Sequence, residues 1–169
     1  MNIFLIGFMG SGKSSFGKKL ARKLSKDFID LDEWIESKEG KSISQIFSDH
    51  GEAHFRKTES ALLSTIDSEK NAVVALGGGA PCNKINWSHI RKNGILIYLK
   101  ESESILFGRL KQNKSTRPLV SSLNDAELRV FIQEKLKERS EYYEQADFVY
   151  EKNKTGFEFL IDQLTNYTR

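Results

Sequence analysis

Residues 3–20 read IFLIGFMGSGKSSFGKKL, and this stretch decides the predicted fold. Four apolar residues open it, the spacing G-x-x-x-x-G-K-S follows at residues 7–14, and apolar residues spaced by four come next. A short apolar run before a glycine-rich turn is typical of a buried strand, and the spacing of four is typical of one helix face. The stretch therefore predicts a strand, a phosphate-binding loop and a helix in succession.

The chemistry of this loop follows from its residue types. Glycines let successive backbone N–H groups turn inward around phosphate oxygens, and the start of the helix adds a positive dipole end. Lys13 can reach the β- and γ-phosphates of a nucleotide, and the Ser14 hydroxyl can ligate Mg²⁺. A plain flexible turn is the alternative, but the strand before the loop and the helix after it favour phosphate binding.

Composition and charge limit the class of protein. The chain has 169 residues, which suits one domain, and its 26 Lys and Arg against 23 Asp and Glu give a net charge of +3, too mild to indicate nucleic-acid binding. Cys82 is the only cysteine, so no intrachain disulfide can form and a reducing, cytoplasmic compartment is expected. The sequence has no secretory leader and no apolar run near the roughly 18 residues of a membrane span, so we expect no membrane association.

Short apolar runs alternate with helical patterns along the rest of the chain. The runs are residues 3–6, 28–31, 72–76, 95–99 and 148–150. Most are continuously apolar, which is typical of strands buried on both faces of a parallel sheet, so we predict an α/β fold, a three-layer sandwich, in one domain over residues 1–169. Residues 32–66 are helical for longer than one crossover needs and predict a helical insertion. The polar segment 111–124 predicts a lid loop over a site.

A phosphate loop alone does not separate a kinase from a GTPase switch. A GTPase is expected to carry a guanine-binding N-K-x-D signature. The three Asn-Lys pairs, at residues 83, 113 and 153, lack aspartate two positions after the lysine. The sequence therefore argues against a GTPase switch, and an ATP-driven motor would normally need a longer chain and a stronger partner-binding surface. A kinase or a nucleotide-binding regulatory module remains.

Two carboxylates, Asp30 and Asp32, end the second predicted strand within FIDLD. On an extended backbone they point to opposite sides, at the edge of the sheet where ligands bind in open α/β folds. One can face a metal and Ser14, and the other can face an acceptor hydroxyl as an orienting group or base. Asp32 could equally be the N-cap of the next helix, and the spacing alone leaves both interpretations open.

Further charged residues and a glycine cluster extend the candidate site. Arg56 and Glu59 are three apart on a predicted helix, so Glu59 can hold the Arg56 guanidinium in place, but the spacing alone favours a surface ion pair that contributes little to stability. Arg139 falls within the apolar stripe of its predicted helix, where an arginine needs an anion unless it snorkels at the edge. The triplet at residues 77–79 lets a ligand approach the backbone, or forms a tight turn. Arg117, in the predicted lid, either closes over a transferring phosphate or is solvated.

Taken together, these motifs resemble the shikimate kinase family, small phosphate-loop kinases of the nucleoside-monophosphate kinase type. The resemblance runs in order through GFMGSGKSS, FIDLD, GEAHFRKTE, ALGGG, RPL and RSEYYEQAD, and covers nearly the whole chain. It implies a five-stranded parallel sheet in the order 2-3-1-4-5. It also implies transfer of the γ-phosphoryl group of ATP to the 3-hydroxyl of shikimate. The product would be 3-phosphoshikimate, on the route to chorismate and aromatic amino acids.

The resemblance also implies roles for single residues. ATP with Mg²⁺ would bind to Gly10, Ser11, Gly12, Lys13, Ser14 and Ser15, with the metal supported by Ser14 and Asp30. Shikimate would be held by Asp32, Arg56, Gly77, Gly78, Gly79 and Arg139, with the two arginines on its carboxylate. The catalytic residues would be Lys13, Asp32 and Arg117, of which Lys13 and Arg117 also contact the nucleotide and stabilise charge on the γ-phosphoryl group. Arg109 would stack on adenine.

Two other hypotheses stay open at this point. The chain could be a kinase for another small hydroxy acid, such as gluconate, or a nucleotide-binding regulatory module without acceptor chemistry. Asp32 could remove the proton of the acceptor hydroxyl or only orient it. We expect a monomer whose partners are ATP and shikimate. The remaining chemically versatile side chains have no metal-like spacing and are expected to be structural or at the surface: His50, His54, His89 and Cys82.

Overall fold

A computed structural model describes residues 1–114 and 117–167 of the chain. Within them, five parallel strands form one sheet in the order β2-β3-β1-β4-β5, which confirms the predicted order. The strands are β1 (Asn2–Ile6), β2 (Asp27–Asp30), β3 (Ala72–Ala75), β4 (Gly94–Leu99) and β5 (Phe148–Tyr150). The central strand β1 pairs with β3 and β4, so Ile3 lies opposite Val73 on one side and Ile95 on the other. Because all strands are parallel, the segments that follow them meet at one edge.

Helices connect the strands and cover the sheet. The α-helices of the described residues are α1 (Lys13–Lys23), α2 (Leu31–Glu39), α3 (Ile43–Leu63), α4 (Lys84–Asn93), α5 (Glu103–Gln112), α6 (Asp125–Tyr143) and α7 (Phe157–Thr165). Local sequence starts them, as at α6, where the Asn124 side chain accepts from backbone N–H groups and Glu127 reaches back to complete a capping box. Across the described residues, no helix is both long enough and apolar enough to span a membrane.

The sheet separates two apolar clusters, which confirms the three-layer arrangement. Alternate side chains of β1 point to opposite faces, as the pleat requires. Phe4 and Ile6 pack in the cluster that α2, α3 and α4 cover, whereas Ile3 and Leu5 pack in the cluster that α1 and α7 cover. All five residues of β1 are buried, as are the four of β3 and the six of β4. A continuous apolar run was thus a reliable sign of a central strand.

Several observed element boundaries differ from the predicted ones. The second strand ends at Asp30 rather than at Leu31, because Leu31 is already the first residue of α2. The predicted insertion, residues 32–66, coincides largely with α2 and α3. Helix α3 is interrupted at Gly51, whose φ of 78° and ψ of 171° are not helical. Helix α5 extends into the predicted lid as far as Gln112, and residues 115 and 116 of that segment lie outside the described residues.

We expect Gly17→Ala to destabilise the fold. A Cβ at Gly17, on the buried face of α1, would lie 2.4 Å from Phe28 Cε2 and 2.9 Å from Leu5 Cδ1. Such overpacking costs about 1–3 kcal/mol, which outweighs the roughly 1 kcal/mol of helix propensity that alanine gains over glycine. Urea unfolding measures the difference.

Gly108→Ala is the matched control for this substitution. Gly108 lies on the exposed side of α5, with no atom within 4 Å of an added Cβ. Alanine there is expected to stabilise the protein by about 0.5–1 kcal/mol. Equal stability changes at the two glycines would contradict the packing explanation.

Candidate active site

The loop between β1 and α1 has the backbone of an anion cradle. Gly12, the N-cap of α1, has a φ of 93°, and Gly10 has a φ of 82°. Both values lie in the left-handed region that side chains disfavour, and they turn the N–H groups of the loop inward. The Lys13 ammonium folds back over this loop and donates to the carbonyls of Gly7 at 2.9 Å and Phe8 at 3.0 Å. Lysine and backbone donors therefore converge on one space.

Asp30 ends β2 and is itself the N-cap of α2. One carboxylate oxygen accepts from the backbone N–H of Asp32 at 3.1 Å and of Glu33 at 3.4 Å. The other oxygen accepts from the Ser14 hydroxyl at 2.5 Å. The interpretation of Asp32 as the N-cap is therefore wrong, because the strand ends one residue earlier than predicted and the capping position falls on Asp30.

Asp32 lies in the first turn of α2, so the prediction that the two carboxylates alternate on an extended backbone is also wrong. The two carboxylates nevertheless have different neighbours, because Asp30 caps the helix and Asp32 lies within its first turn. The Oδ1 atom of Asp32 is enclosed and has no hydrogen-bond partner among the described residues. Burial raises the pKa of Asp32, and the nearby charge of Asp30 raises it further against the opposing effects of Lys13, Arg56 and Arg117.

Ser14 and Asp30 are suitable donors for Mg²⁺. A hydroxyl oxygen and a carboxylate oxygen lie 2.5 Å apart at the start of α1. Mg²⁺ prefers oxygen ligands, and it is usually held by one or two protein groups together with water and substrate phosphates. In the described part of the chain, no group of three or more His, Cys, Asp and Glu side chains could hold a metal by itself. The donor set therefore fits a metal that arrives with a phosphorylated ligand.

Arg56 is fixed by two carboxylates, Glu52 and Glu59, and the burial of Glu59 was not predicted. Its Nη1 atom donates to Glu59 at 3.2 and 3.0 Å, and its Nε and Nη2 atoms donate to Glu52 at 3.2 and 3.1 Å. The Glu59 side chain is only 1% exposed, so the prediction of a surface pair is wrong. Burial raises the pKa of Glu59 to about 7, against the attraction of Arg56. Burial alone would lower the pKa of Arg56, but the two carboxylates outweigh it, and the guanidinium stays charged.

Arg139 is buried rather than snorkelling. It is 5% exposed on the inner face of α6, and its Nη1 atom has no partner among the described residues. The guanidinium lies 5.3 Å from the centre of the Phe8 ring. The hydroxyl of Tyr143, one helical turn after Arg139, lies close enough to interact with this guanidinium and donates to the Gly78 carbonyl at 2.5 Å. A buried cation with an unused donor indicates a site for an anion.

The glycine triplet after β3 is shaped by these arginines. A Cβ at Gly79 would lie 2.9 Å from Arg56 Nη2, and one at Gly78 would lie 3.1 Å from Arg139 Nη1. At Gly77 it would lie 2.6 Å from a carboxylate oxygen of Glu59. The triplet therefore does more than turn the chain, because its bare backbone is what lets the charged side chains approach.

Two further arginines complete the wall. The Arg117 guanidinium is half-buried in the predicted lid, and its Nε atom has no partner among the described residues. Burial lowers the pKa of Arg117, against the attraction of Asp32. Arg109, on α5, donates to the Gly10 carbonyl at 2.8 Å and to Glu101 at 3.1 Å, which fixes its plane beside the loop. No sequence pattern pointed to Glu101, which follows β4.

Three cavities join along this edge of the sheet. The arginine cavity, of about 260 Å³, is lined by Asp32, Arg56, Gly77, Gly78, Gly79, Arg117 and Arg139 together with Met9, Glu36, Ile43, Phe47, Phe55, Pro118 and Leu119. The loop cavity, of about 380 Å³, is lined by Gly10, Gly12, Lys13, Ser14, Ser15, Asp30, Asp32, Arg109, Arg117 and neighbouring residues. The outer cavity, of about 620 Å³, contains Gly10, Ser11, Gly12, Ser15 and Arg109 together with Phe16, Lys19, Leu99, Lys100, Glu101, Tyr150, Lys152 and Phe157.

Every predicted site residue lines one of these cavities, and three of them lie where the arginine cavity meets the loop cavity. Asp32, Gly78 and Arg117 line both of these cavities, whereas Arg109 is among the residues that line both the loop cavity and the outer cavity. The apolar walls, such as Phe47 and Phe55, were not predicted, because helical periodicity does not distinguish a core face from a face that covers a cavity. None of the four expected structural side chains, His50, His54, His89 and Cys82, lines a cavity described here.

Comparison with known proteins identifies the relatives of this chain. The family model described as shikimate kinase matches residues 9–167. A shikimate kinase of Thermodesulfovibrio yellowstonii is 45% identical over 147 residues, which cover 87% of this chain and 83% of the relative. The solved shikimate kinase of Acinetobacter baumannii, in complex with shikimate, has a TM-score of 0.85 at 34% identity and covers 97% of this chain and 92% of its own. That of Bacteroides thetaiotaomicron has a TM-score of 0.83 at 35% identity, covering 98% and 94%.

We expect the affinity for ATP to fall as the pH rises through about 8. Burial lowers the pKa of Lys13 to about 8, although Asp32 opposes this effect. Below that pH the ammonium is charged and attracts phosphates, and above it the free protein loses this charge. Calorimetric titration with ATP between about pH 7 and about pH 9 measures the change. Lys13→Met is the control. If the affinity for ATP had the same pH dependence in both proteins, the titrating group would not be Lys13.

Proposed function

This chain belongs to the shikimate kinase family, and we propose how its residues divide the reaction of that family. The reaction is the transfer of the γ-phosphoryl group of ATP to the 3-hydroxyl of shikimate, giving 3-phosphoshikimate and ADP. It contributes to chorismate and aromatic amino-acid biosynthesis. The arrangement of the three cavities supports a division into a base subsite, a phosphate subsite and an acceptor subsite.

One observation carries the proposal. The structure leaves four buried side-chain polar atoms without a hydrogen-bond partner among the described residues: Ser11 Oγ, Asp32 Oδ1, Arg117 Nε and Arg139 Nη1. All four belong to residues that line the cavities. Because an unpaired buried polar atom is costly, these atoms mark where ligand atoms belong. The two arginine atoms are donors for an anion, and the Asp32 oxygen is an acceptor for a hydroxyl.

On the nucleotide side, the phosphates of ATP bind in the loop cavity on residues 10–15. The base and ribose extend into the outer cavity, where Arg109 offers a planar surface that Glu101 and the Gly10 carbonyl hold in place. Ser14 and Asp30 would hold Mg²⁺, which would neutralise negative charge on the phosphates of ATP. Lys13 exchanges its contacts with loop carbonyls for phosphate oxygens.

On the acceptor side, shikimate occupies the arginine cavity. Its carboxylate lies between Arg56 and Arg139, whose planar forks suit bidentate contacts with a carboxylate. Gly77, Gly78 and Gly79 supply backbone that approaches the ring closely. Apolar walls such as Phe47 and Phe55 exclude water from this subsite.

Asp32 and Arg117 stand where the two substrates meet. The free Oδ1 oxygen of Asp32 accepts the hydrogen bond of the 3-hydroxyl and takes its proton as the hydroxyl attacks phosphorus. The raised pKa of Asp32 favours such proton acceptance more than the pKa of an exposed aspartate would. Lys13 and Arg117 stabilise the negative charge of the γ-phosphoryl group during transfer.

The remaining expectations concern the state of the protein in the cell. We propose that it acts as a monomer, because a single chain supplies each residue to which the proposed reaction assigns a role. We also propose a cytoplasmic enzyme without a nucleic-acid partner, in keeping with its single cysteine and its net charge of +3. Size-exclusion chromatography with light scattering tests the monomer.

The proposal is tested by ADP release from ATP and Mg²⁺ with shikimate, with gluconate and with a nucleoside monophosphate. Turnover with shikimate alone supports it. Turnover with gluconate but not with shikimate would reject the acceptor assignment and keep the nucleotide site. ADP release that no acceptor stimulates would favour a regulatory module.

We expect Arg139→Lys to raise the KM for shikimate by about tenfold or more, because lysine keeps the charge but loses the bidentate fork. Arg56→Lys is expected to act in the same direction, and the KM for ATP should change little in both variants. Arg129→Lys is the matched control, since Arg129 is an exposed arginine of the same helix as Arg139. A wild-type KM for shikimate in the Arg139 variant would refute the carboxylate clamp.

We expect Asp32→Asn to lower kcat by roughly 100-fold or more, because the amide cannot accept the proton of the attacking hydroxyl. Circular dichroism should show an unchanged fold, and shikimate should still bind. Asp27→Asn, at the exposed start of β2, is the control and should keep full activity. If Asp32→Asn turned over at the wild-type rate, neither a base nor an orienting role could be maintained.

A further inference from the structure

Phe8 belongs to the phosphate loop, yet its side chain leaves the loop. It stands one position after Gly7, within G-x-x-x-x-G-K-S, and is only 1% exposed. Its ring packs in a third apolar cluster, apart from the two on the faces of the sheet, together with Leu106, Leu110, Val120, Leu128 and Ile132. A phosphate loop needs flexible backbone at this position, and a buried aromatic ring is not part of that requirement.

The backbone of Phe8 holds the nucleotide side of the site. Its carbonyl accepts from the Lys13 ammonium at 3.0 Å and from the Ser11 N–H at 3.1 Å. The position of this carbonyl therefore determines where the Lys13 ammonium lies in the absence of phosphate. Because the ring is anchored in a cluster, the carbonyl cannot move freely.

The ring of Phe8 also reaches the acceptor side. The Arg139 guanidinium lies 5.3 Å from the centre of the ring, within the range of a cation–π contact. Arg139 is 5% exposed, and a desolvated contact of this kind is stronger than an exposed one. The ring thus supports a guanidinium that retains a free donor for substrate.

The same cluster anchors the predicted lid. Val120, three residues after Arg117, is fully buried in it, and Leu119 and Leu123 pack against its edge. Phe8 therefore joins three parts of the site: the loop that holds Lys13, the arginine that faces the acceptor and the segment that carries Arg117.

We propose that Phe8 is a positioning residue that couples nucleotide binding to shikimate binding, by fixing Arg139 through its ring and the phosphate loop through its backbone. This inference rests on the proposed function of the arginine cavity. It predicts that a bound nucleotide raises the affinity for shikimate, and that this effect depends on the ring. A residue that only filled the apolar core would affect stability but not this coupling.

Three variants separate the ring from the packing. Phe8→Leu keeps an apolar side chain in the cluster and removes the π face beneath Arg139. Phe8→Ala removes both. Leu128→Ala is the matched control, because Leu128 is fully buried in the same cluster on α6 and lines none of the three cavities. Melting temperature, steady-state kinetics and calorimetric Kd for shikimate, with and without ADP, are measured for each.

We expect Phe8→Leu to weaken shikimate binding by about tenfold and to remove most of the effect of ADP on it, with a near wild-type melting temperature. Phe8→Ala should show the same loss and also melt at a lower temperature. Leu128→Ala should melt lower but keep the wild-type Kd and the wild-type effect of ADP.

Two results would overturn the inference: wild-type shikimate affinity and ADP effect in Phe8→Leu, or an equal loss of both in Leu128→Ala. Either would mean that Phe8 acts through packing alone. Both results presuppose a wild-type protein that turns over shikimate. If the wild type released no ADP in response to shikimate, the proposed function itself would fail, which the wild-type assay distinguishes from the behaviour of the variants.

Discussion

A buried arginine without a full set of acceptors is the constraint on which the rest of the site depends. Arg139 is enclosed on α6 with a free Nη1 atom, and the described residues provide no carboxylate in an ion pair with it. A charge in such surroundings is costly unless an anion arrives to complete its contacts. The ring of Phe8 and the hydroxyl of Tyr143 support the guanidinium without neutralising it. The folded protein therefore keeps a buried positive charge without a full set of partners, which the carboxylate of the proposed substrate would complete.

Arg56 meets the same constraint in a different way. Its charge is compensated inside the protein, by the buried Glu59 and by Glu52. This pairing fixes the guanidinium but leaves part of its edge facing the glycines. One arginine is thus rigid and paired, whereas the other, Arg139, has an unused donor. The glycine triplet makes the combination possible, because a Cβ atom at residues 77–79 would lie only 2.6–3.1 Å from the charged groups.

Much of this arrangement is readable from the sequence, and the failures have physical causes. The phosphate loop and the central strands carry strong local signals, since the glycine pattern stands between an apolar run and a helical pattern, and short continuous apolar runs are typical of buried parallel strands. The sheet order came from the resemblance, because periodicity does not tell which strands are neighbours. Glu59 looked like half of a surface pair, and only the packing of α3 against the glycine triplet buries it. Phe8 carried no signal, since its ring turns away from the motif that contains it.

The two carboxylates of FIDLD show how one shifted boundary changes the chemistry. Because β2 ends at Asp30, that residue becomes the cap of α2 and receives two backbone N–H groups and the Ser14 hydroxyl. Asp32 then falls in the first turn of α2, where burial raises its pKa and one of its oxygens has no hydrogen-bond partner among the described residues. Hydrogen bonds stabilise an ionised carboxylate, and burial favours proton uptake. Although the two residues are only two positions apart, their surroundings give them different chemistry. The Asp30 carboxylate is placed to bind a cation, and the Asp32 carboxylate is placed to accept a proton.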